Sequence, residues 1–511
     1  MNGLLRARQI MTLHPAAFGD AVWWQDGRVR AVGRATELER RVPTRVPRFD
    51  LPGALVTPGF VDGHTHFAMW ARARRQVHLA GAATRREALD RVASGSPENG
   101  WIVGHGWDAN RWTDPPDRAA LDRATSLPAY LESIDIHAAW VNTPALLAAG
   151  ITRETPDPPG GRIVRDAAGE PTGLLLEHAT RLVSTILPAG SPEDLVTLLR
   201  TAQRDAHRLG ITGIHDVEGL DAHRAFRTLE AEDALRLRVL FSPPVAHLPT
   251  LLAHGAKSGQ GSDWLRLGGV KLFLDGSLGS RTAWMLEAYE DGRDRGMPLC
   301  SEDEARAVVN LAAGGGIACA IHAIGDAAVR RALDLLKAAP RAPLPHRIEH
   351  LQCVHPADLP RAAAAGIVAS MQPGHLPGDV ELAESRWGGR SRGAYAFRSL
   401  LDAGTHLAFG SDVPVVSIDP RAGVAAAMTR VDPGAAFPHG WHAGERLSFE
   451  EAVRAYTLGN ARAAGVGERR GTLAPGQDAD LVAWEIDEPG SFADARVDLT
   501  VVGGEVVYRR E

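Results

Sequence analysis

Phe60-Val61-Asp62-Gly63-His64-Thr65-His66 is the stretch on which the fold turns. Residues two apart on a β-strand point to the same side, so His64 and His66 can close two imidazoles on one metal ion; a helix would splay the pair apart. A bare His-x-His is weak, because twenty histidines in 511 residues give roughly one by chance, and a packed structural pair is the competing reading. Context favours the metal. The apolar residues Ala54-Leu55-Val56 and Phe60-Val61, punctuated by Pro58-Gly59, run up to the histidines as a buried strand would when it delivers ligands at its C-terminal end.

Outward from this strand, short apolar runs alternate with helical patterns from residue 191 onward, the signature of strand-helix units around a parallel sheet. The runs cover residues 213–216, 238–241, 270–274, 317–322, 347–350, 367–371 and 406–411. With the first they make eight strands, the count of a TIM (β/α)8 barrel. The helices between them carry start and stop signals: Ser191 as N-cap, Pro192 at the first helical position and Gly210 at the end, with capping boxes at Ser301/Glu304 and Ser448/Glu451.

The connection from strand one to strand two is too long for a simple crossover, so residues 70 to 190 are expected to form an inserted subdomain above the barrel mouth. Trp101, Trp107, Trp112 and Trp140 lie in it, as core or as walls of a substrate pocket. Hairpin patterns with Gly turns mark both chain ends, residues 21–29 and 499–508. The expected architecture is therefore α/β: a TIM barrel at 58–465 with that insertion, and a small β-sandwich domain from 1–57 plus 466–511.

Composition agrees with a globular enzyme. Apolar residues make up 44% and charged residues 23%, and 56 basic against 62 acidic groups leave a net charge of -6. Nothing here recruits nucleic acid or membrane, and the N-terminus lacks a secretory h-region, so a cytoplasmic protein is expected. Cys300, Cys319 and Cys353 suit neither a zinc ribbon nor a disulfide framework and read as small buried hydrophobes. A homodimer is the base-rate expectation.

Active sites of such barrels form at the C-terminal strand ends. His322 closes strand five, His350 closes strand six and Asp412 follows strand eight. Each has a bland alternative, a carbonyl partner for the imidazole or backbone amides for the carboxylate. Jointly, four imidazoles and a carboxylate at one end of a barrel form the ligand set of a zinc-type site with an open position. Lys271, one of only three lysines, lies inside strand four, where a free ammonium is costly. Two readings stand: a carbamate formed with carbon dioxide and bridging two metals, or a buried lysine paired with Asp275 or Asp216.

These residues resemble the amidohydrolase superfamily, in particular its YtcJ-like group, amidohydrolase family 3, which includes N-substituted formamide deformylases. The resemblance spans nearly the whole chain. It rests on residues 58–66, on Asp135-Ile136-His137 through Asn142, on Gly160-Gly161 and Gly173 through Glu177, and on Lys271 with 275–283. His322-Ala323-Ile324-Gly325-Asp326, Arg347-Ile348-Glu349-His350, Met371-Gln372-Pro373 and Gly410-Ser411-Asp412-Val413-Pro414 complete it.

The resemblance implies one or two divalent metals, and hydrolysis of an amide, N-acyl or N-formyl C–N bond in a small-molecule substrate. Carried onto matching positions, His64, His66, His322 and His350 are metal ligands and Lys271 is a carbamylated bridge, with Glu177 competing for that role. Asp412 is ligand and proton shuttle: it takes the proton of a water activated by the metal and returns it to the leaving amine. Trp107, His137, Glu177 and Arg281 are candidates for substrate binding; His375 reads as a surface histidine, with oxyanion stabilisation as its functional alternative. Two rivals stand beside this reading. An amino-heterocycle deaminase of the same superfamily would resemble His-Ala-x-Glu after strand five, where this chain has Gly325. A metal-binding protein without turnover would be expected to lack a ligand or the shuttle.

Overall fold

The protein is described here from a computed structural model covering residues 1–511 except Ala16, Ala189 and 432–436. Its eight expected parallel strands all form: β1 (Phe60–Thr65), β2 (Ile211–Asp216), β3 (Arg238–Phe241), β4 (Val270–Phe273), β5 (Cys319–Ala323), β6 (Arg347–His350), β7 (Val368–Met371) and β8 (His406–Phe409). They fall into two parallel sheets, β1-β2-β3 and β4-β5-β6-β7-β8. An additional short strand, Leu265–Leu267, pairs with the free side of β3. The sequence pattern did not foresee it. Gly268-Gly269 turns the chain here, pressed so close to the neighbouring strand that a Cβ on Gly268 would meet Ser242 Oγ at 2.4 Å. At this side the two sheets are joined by the parallel bridge Pro244–Lys271, and at the other by Thr65–Val413.

That second junction is tied by a side chain. A π-helical turn at Ala455–Gly459 leads into Asn460, whose Nδ2 donates to Val61 O at 2.6 Å and to Phe409 O at 2.8 Å. One buried amide thus bridges β1 and β8. The approach is tight enough to require glycine, since a Cβ on Gly63 would meet Asn460 Oδ1 at 2.3 Å.

Helices cover the sheets as their caps anticipate. Pro192–Arg208 starts at a Ser191/Asp194 capping box and buries Leu195, Leu199, Ala202 and Ala206, a three-to-four-residue spacing that lays one apolar stripe on the core. The other two capping boxes form as well. Cys319 and Cys353 are buried and Cys300 partly so, all with free thiols.

Between β1 and β2 the chain builds a six-stranded sheet in the order Gly161–Arg165, Pro171–Glu177, Ala138–Val141, Ala129–Ser133, Ile102–Trp107, Val77–His78. The two chain ends share a seven-stranded sheet, in which Leu481–Glu485 pairs antiparallel with Arg48–Pro58. Among the described residues, no helix is long and apolar enough to cross a membrane.

Candidate metal centre

The strand ends gather the polar residues. His64 and His66 leave β1 on the same side, their ring centroids 5.6 Å apart. His350 at the end of β6 stands 5.1 Å from His64 and 4.5 Å from His322 of β5. Asp412, after β8, places Oδ1 3.4 Å from His64 Nε2 and 3.2 Å from His66 Nε2. One ligand atom from each of His64, His350 and Asp412 lies within 4.8 Å of the others, close enough for a shared cation. Two buried atoms of this group, His350 Nδ1 and Asp412 Oδ1, have no hydrogen-bond partner. Unpaired buried polar atoms are costly, and their convergence is what a cation would satisfy.

The backbone is held to the same end. His350 and Asp412 both have positive φ, 69° and 64°. L-residues seldom adopt that region, and such conformations cluster where structure serves chemistry. Glu177, in the inserted sheet, shares the feature at 53°.

Two of the imidazoles, His64 and His322, are oriented by a far nitrogen. His64 Nδ1 donates to Glu349 Oε2 at 2.6 Å, so the lone pair sits on Nε2, facing Asp412. Burial, with help from Lys271, lowers the His64 pKa to about 4, keeping it a neutral ligand. His322 donates through Nε2 to Gly276 O at 3.0 Å, which leaves Nδ1 as its basic nitrogen. Burial likewise holds His322 and His350 well below the usual histidine range. For Asp412 burial pushes the pKa up, but His64 and His66 outweigh it and hold the carboxyl well below the ordinary value.

Lys271 is buried in β4 with Nζ 3.5 Å from His64 Nε2 and 4.7 Å from the centroid of the Phe273 ring. Burial lowers it to about 8, against the pull of Glu349 and Asp412. Neither expected counter-ion serves it. Asp275 accepts backbone N–H bonds from Trp284, Ile324 and Gly325, and Asp216 accepts from Phe67 N and Thr65 Oγ1. Both oxygens of Asp275 and Oδ1 of Asp216 are committed to these bonds, Asp216 Oδ2 is buried without a partner, and among the described residues no ion pair joins either carboxylate to Lys271.

His137 and Glu177 do reach the site. His137 lies 5.2 Å from the His322 ring, and its Nδ1 is 2.8 Å from Glu177 Oε2. Burial pushes His137 down, but Glu177 and Asp135 reverse this and raise it to about 9. Glu177 Oε1 also accepts from Thr282 Oγ1 at 2.5 Å.

Three expectations are corrected. His375 is not a surface residue: it is only part-buried, but its Nε2 is 3.1 Å from Ser411 O and 3.8 Å from Asp412 Oδ2, because the loop after β7 folds inward over the strand ends. Trp107 packs with Trp112 and Trp140 at centroid distances of 6.2 and 6.5 Å and donates Nε1 to Leu131 O; it is core of the inserted sheet. Arg281 is tied through its terminal nitrogens to Asp291 and Asp294 and lies over Tyr289, with Nε buried and unpartnered, so its charge is already paired away from the site.

The structure adds residues that sequence reading assigned no role. Arg347 donates to both oxygens of Glu349, to Gly63 O, to Ser370 Oγ and to His215 Nδ1. Glu349, fully buried, is thereby held ionised against His64; burial would raise its pKa, and Arg347 overrides this. Alternation in Arg347-Ile348-Glu349-His350 was the available signal, since it puts two opposite charges on one face of a strand read as buried. Asp62 Oδ1 accepts from Ser411 N at 2.8 Å and from His64 N at 3.2 Å. Burial raises the Asp62 pKa to about 7.

Residues 48–508 match the amidohydrolase family. The protein LONG AFTER FAR-RED 3 of Arabidopsis thaliana is 32% identical, over 96% of this chain and 88% of its own length. The putative amidohydrolase YtcJ of Bacillus subtilis is 30% identical over 96% of both. An N-substituted formamide deformylase of Arthrobacter pascens is 28% identical over 96% of this chain and 95% of its own. Among solved structures, an uncharacterized metal-dependent hydrolase from Pyrococcus horikoshii superposes with a TM-score of 0.79 at 27% identity, covering 96% of this chain and 98% of that one.

Proposed function

From the premise that this chain belongs to the amidohydrolase family, we propose that it is a metal-dependent hydrolase of the C–N bond of an amide, N-acyl or N-formyl small molecule. The observation that carries the reading is the convergence of His64, His350 and Asp412 with two buried atoms left unpaired. We take the eight strands as a closed barrel with the site at its C-terminal mouth, the sheet of both chain ends (1–57 and 466–511) as a flanking domain, and the six-stranded sheet as the insertion over the mouth.

The donors fit a divalent ion: neutral imidazoles and a carboxylate suit zinc, with His64, His66, His322, His350 and Asp412 as its holders. When bound, the ion supplies Lewis acidity for the substrate carbonyl and for the attacking water. The chain's own residues do the rest. Asp412 accepts the water proton and delivers it to the leaving nitrogen, a base turned acid. Glu349 holds His64 in the tautomer that presents Nε2. His137, raised to about 9, is a cationic donor beside His322 that can hold the carbonyl oxygen or a substrate acceptor, and His375 stands next to Asp412.

If two ions bind, Lys271 as a carbamate is the bridge. Its amine is buried and lacks a carboxylate partner, while both oxygens of the competing Glu177 are engaged by Thr282 and His137. A deaminase would need an acid where Gly325 stands. Any Cβ there would meet Trp284 O at 2.1 Å, which disfavours that rival.

The test is metal analysis with intact-mass measurement, then turnover of N-formyl and N-acyl amines by zinc-loaded protein. We expect bound metal, the added mass of one carbon dioxide on Lys271, and amine release that Asp412→Asn abolishes. Metal-replete protein that releases ammonia from amino-heterocycles but cleaves no amide would overturn the assignment.

A further inference from the structure

Beside the metal centre, a cavity of about 380 Å³ lies between the strand ends and the inserted sheet, within the size range of small-molecule sites. Its lining includes His66 and Pro414 from the strand ends and Val103, His105, Tyr130 and Glu132 from the inserted sheet. The pairing of Ile102–Trp107 with Ala129–Ser133 sets Val103 beside Tyr130 and His105 beside Glu132. Strand alternation then turns Ile102 and Leu131 to the opposite face, where they join the insertion's apolar core. Glu132 is thus presented to the cavity by rigid sheet, not by a loop.

The charges of the lining are unequal. Glu218 is consumed by Ala68 N and Met69 N, at 2.8 and 2.7 Å, where it caps the helix Phe67–Ala73. Arg72, the only guanidinium in the lining, is paired with Asp221 at 2.5 Å. His105 offers no offset, since burial lowers it to about 4. Glu132 is left with no cationic side chain at salt-bridge distance among the described residues. Burial pushes its carboxyl up to about 7, although His66 and a hydrogen bond with Tyr130 pull the other way, the mark of an ion whose lost hydration is only partly replaced.

We propose that this cavity receives the non-reacting end of the substrate and that Glu132 is a specificity-determining residue selecting a substrate with an ammonium or similar cationic group there. This rests on the hydrolase reading for the reacting end but not for the recognition itself. A carboxylate tail would face Glu132, Glu218 and Asp221 and be excluded; an ammonium would restore to Glu132 the hydrogen bonds that burial removed.

Three probes of equal length test it: N-acetyl-1,4-diaminobutane as cation, N-pentylacetamide as neutral and N-acetyl-4-aminobutanoate as anion. Calorimetric binding to zinc-loaded protein is expected to rank cation over neutral by about tenfold or more, the scale of one partly desolvated charge pair, with the anion weakest. In Glu132→Gln the cation-to-neutral ratio is expected to fall toward one, in binding and, where turnover occurs, through KM. Ranked binding without turnover sustains the recognition and sinks only the hydrolase reading. Equal binding of cation and neutral by the wild type, or an unchanged ratio in E132Q, overturns the recognition while leaving hydrolysis intact. Should E132Q fail to fold, the wild-type ranking across the three probes decides.

Discussion

Arg347 and His350 sit three residues apart on the same strand and are treated in opposite ways. Arg347, inside the strand layer, has its donors matched by Glu349, Gly63, Ser370 and His215. At the strand end, His350 and Asp412 carry positive φ and unpaired buried atoms. Satisfied polar groups fix one arrangement, whereas unsatisfied ones wait for a ligand. Both kinds of burial cost hydration, but only the second leaves it to be recovered by a binding event. Arg347 thus serves persistence, while the His350 and Asp412 pair is left open to a ligand, the division expected of such strand ends.

Five measurements sharpen or break this contrast. The largest effect belongs to the mouth: Asp412→Asn is expected to lower kcat by about 10²–10⁴-fold with little loss of stability. A variant that unfolds instead would place Asp412 among the structural groups. Next, Arg347→Met should cost about 3–5 kcal/mol in denaturant unfolding, because Glu349 is left as an uncompensated buried charge; a small change there would erase the distinction. Glu349→Gln should fold, yet weaken metal affinity by about 10–100-fold in chelator competition, through loss of the orienting bond to His64.

Acid sensitivity of the metal-free protein is the third-level consequence of the same burial. His64 and His207 are both lowered by burial to about 4. Between the unfolded value of about 6.5 and that folded value, the unfolded chain binds protons that the folded chain does not. Stability contributed by neutral burial is therefore whole above that window and is lost as pH falls through it. Glu349, depressed in the fold, adds loss in the same direction below about 4.5. Asp62 and Glu132, raised by burial to about 7, act in the opposite direction over the same window, so the test is a difference: His207→Phe should change the slope of the urea midpoint against pH between about 6.5 and 4, and an unchanged slope would contradict the buried neutral histidine. The smallest effect is Trp107→Phe, which removes the 2.8 Å bond to Leu131 O and should cost about 1 kcal/mol with kinetics unchanged. A changed kcat/KM would return Trp107 to the pocket wall.

Much of this was legible before folding. The short apolar runs named all eight strands, and capping residues named helix starts, because both signals are local. The short strand at Leu265–Leu267 was hidden: three residues carry no period, and Gly268-Gly269 reads equally as a loop. His375 looked like a surface residue because its loop carries no burial pattern, and only the inward fold of that loop sets it beside Asp412. Trp107 was ambiguous for the converse reason, since an aromatic residue on a strand looks alike whether it faces a pocket or a core.

The sequence alone determined which residue types end which strands, since alternation and turn residues act over a few positions of chain. The tertiary structure alone decided that Glu349 meets His64 across 285 residues of sequence, that Asp275 is taken up by backbone amides while Asp216 bonds Phe67 N and Thr65 Oγ1 and neither pairs with Lys271, and that Glu132 faces a cavity. Those outcomes depend on strand order and register between distant segments, and a side chain's partner is set by what packs opposite it, which no local pattern encodes.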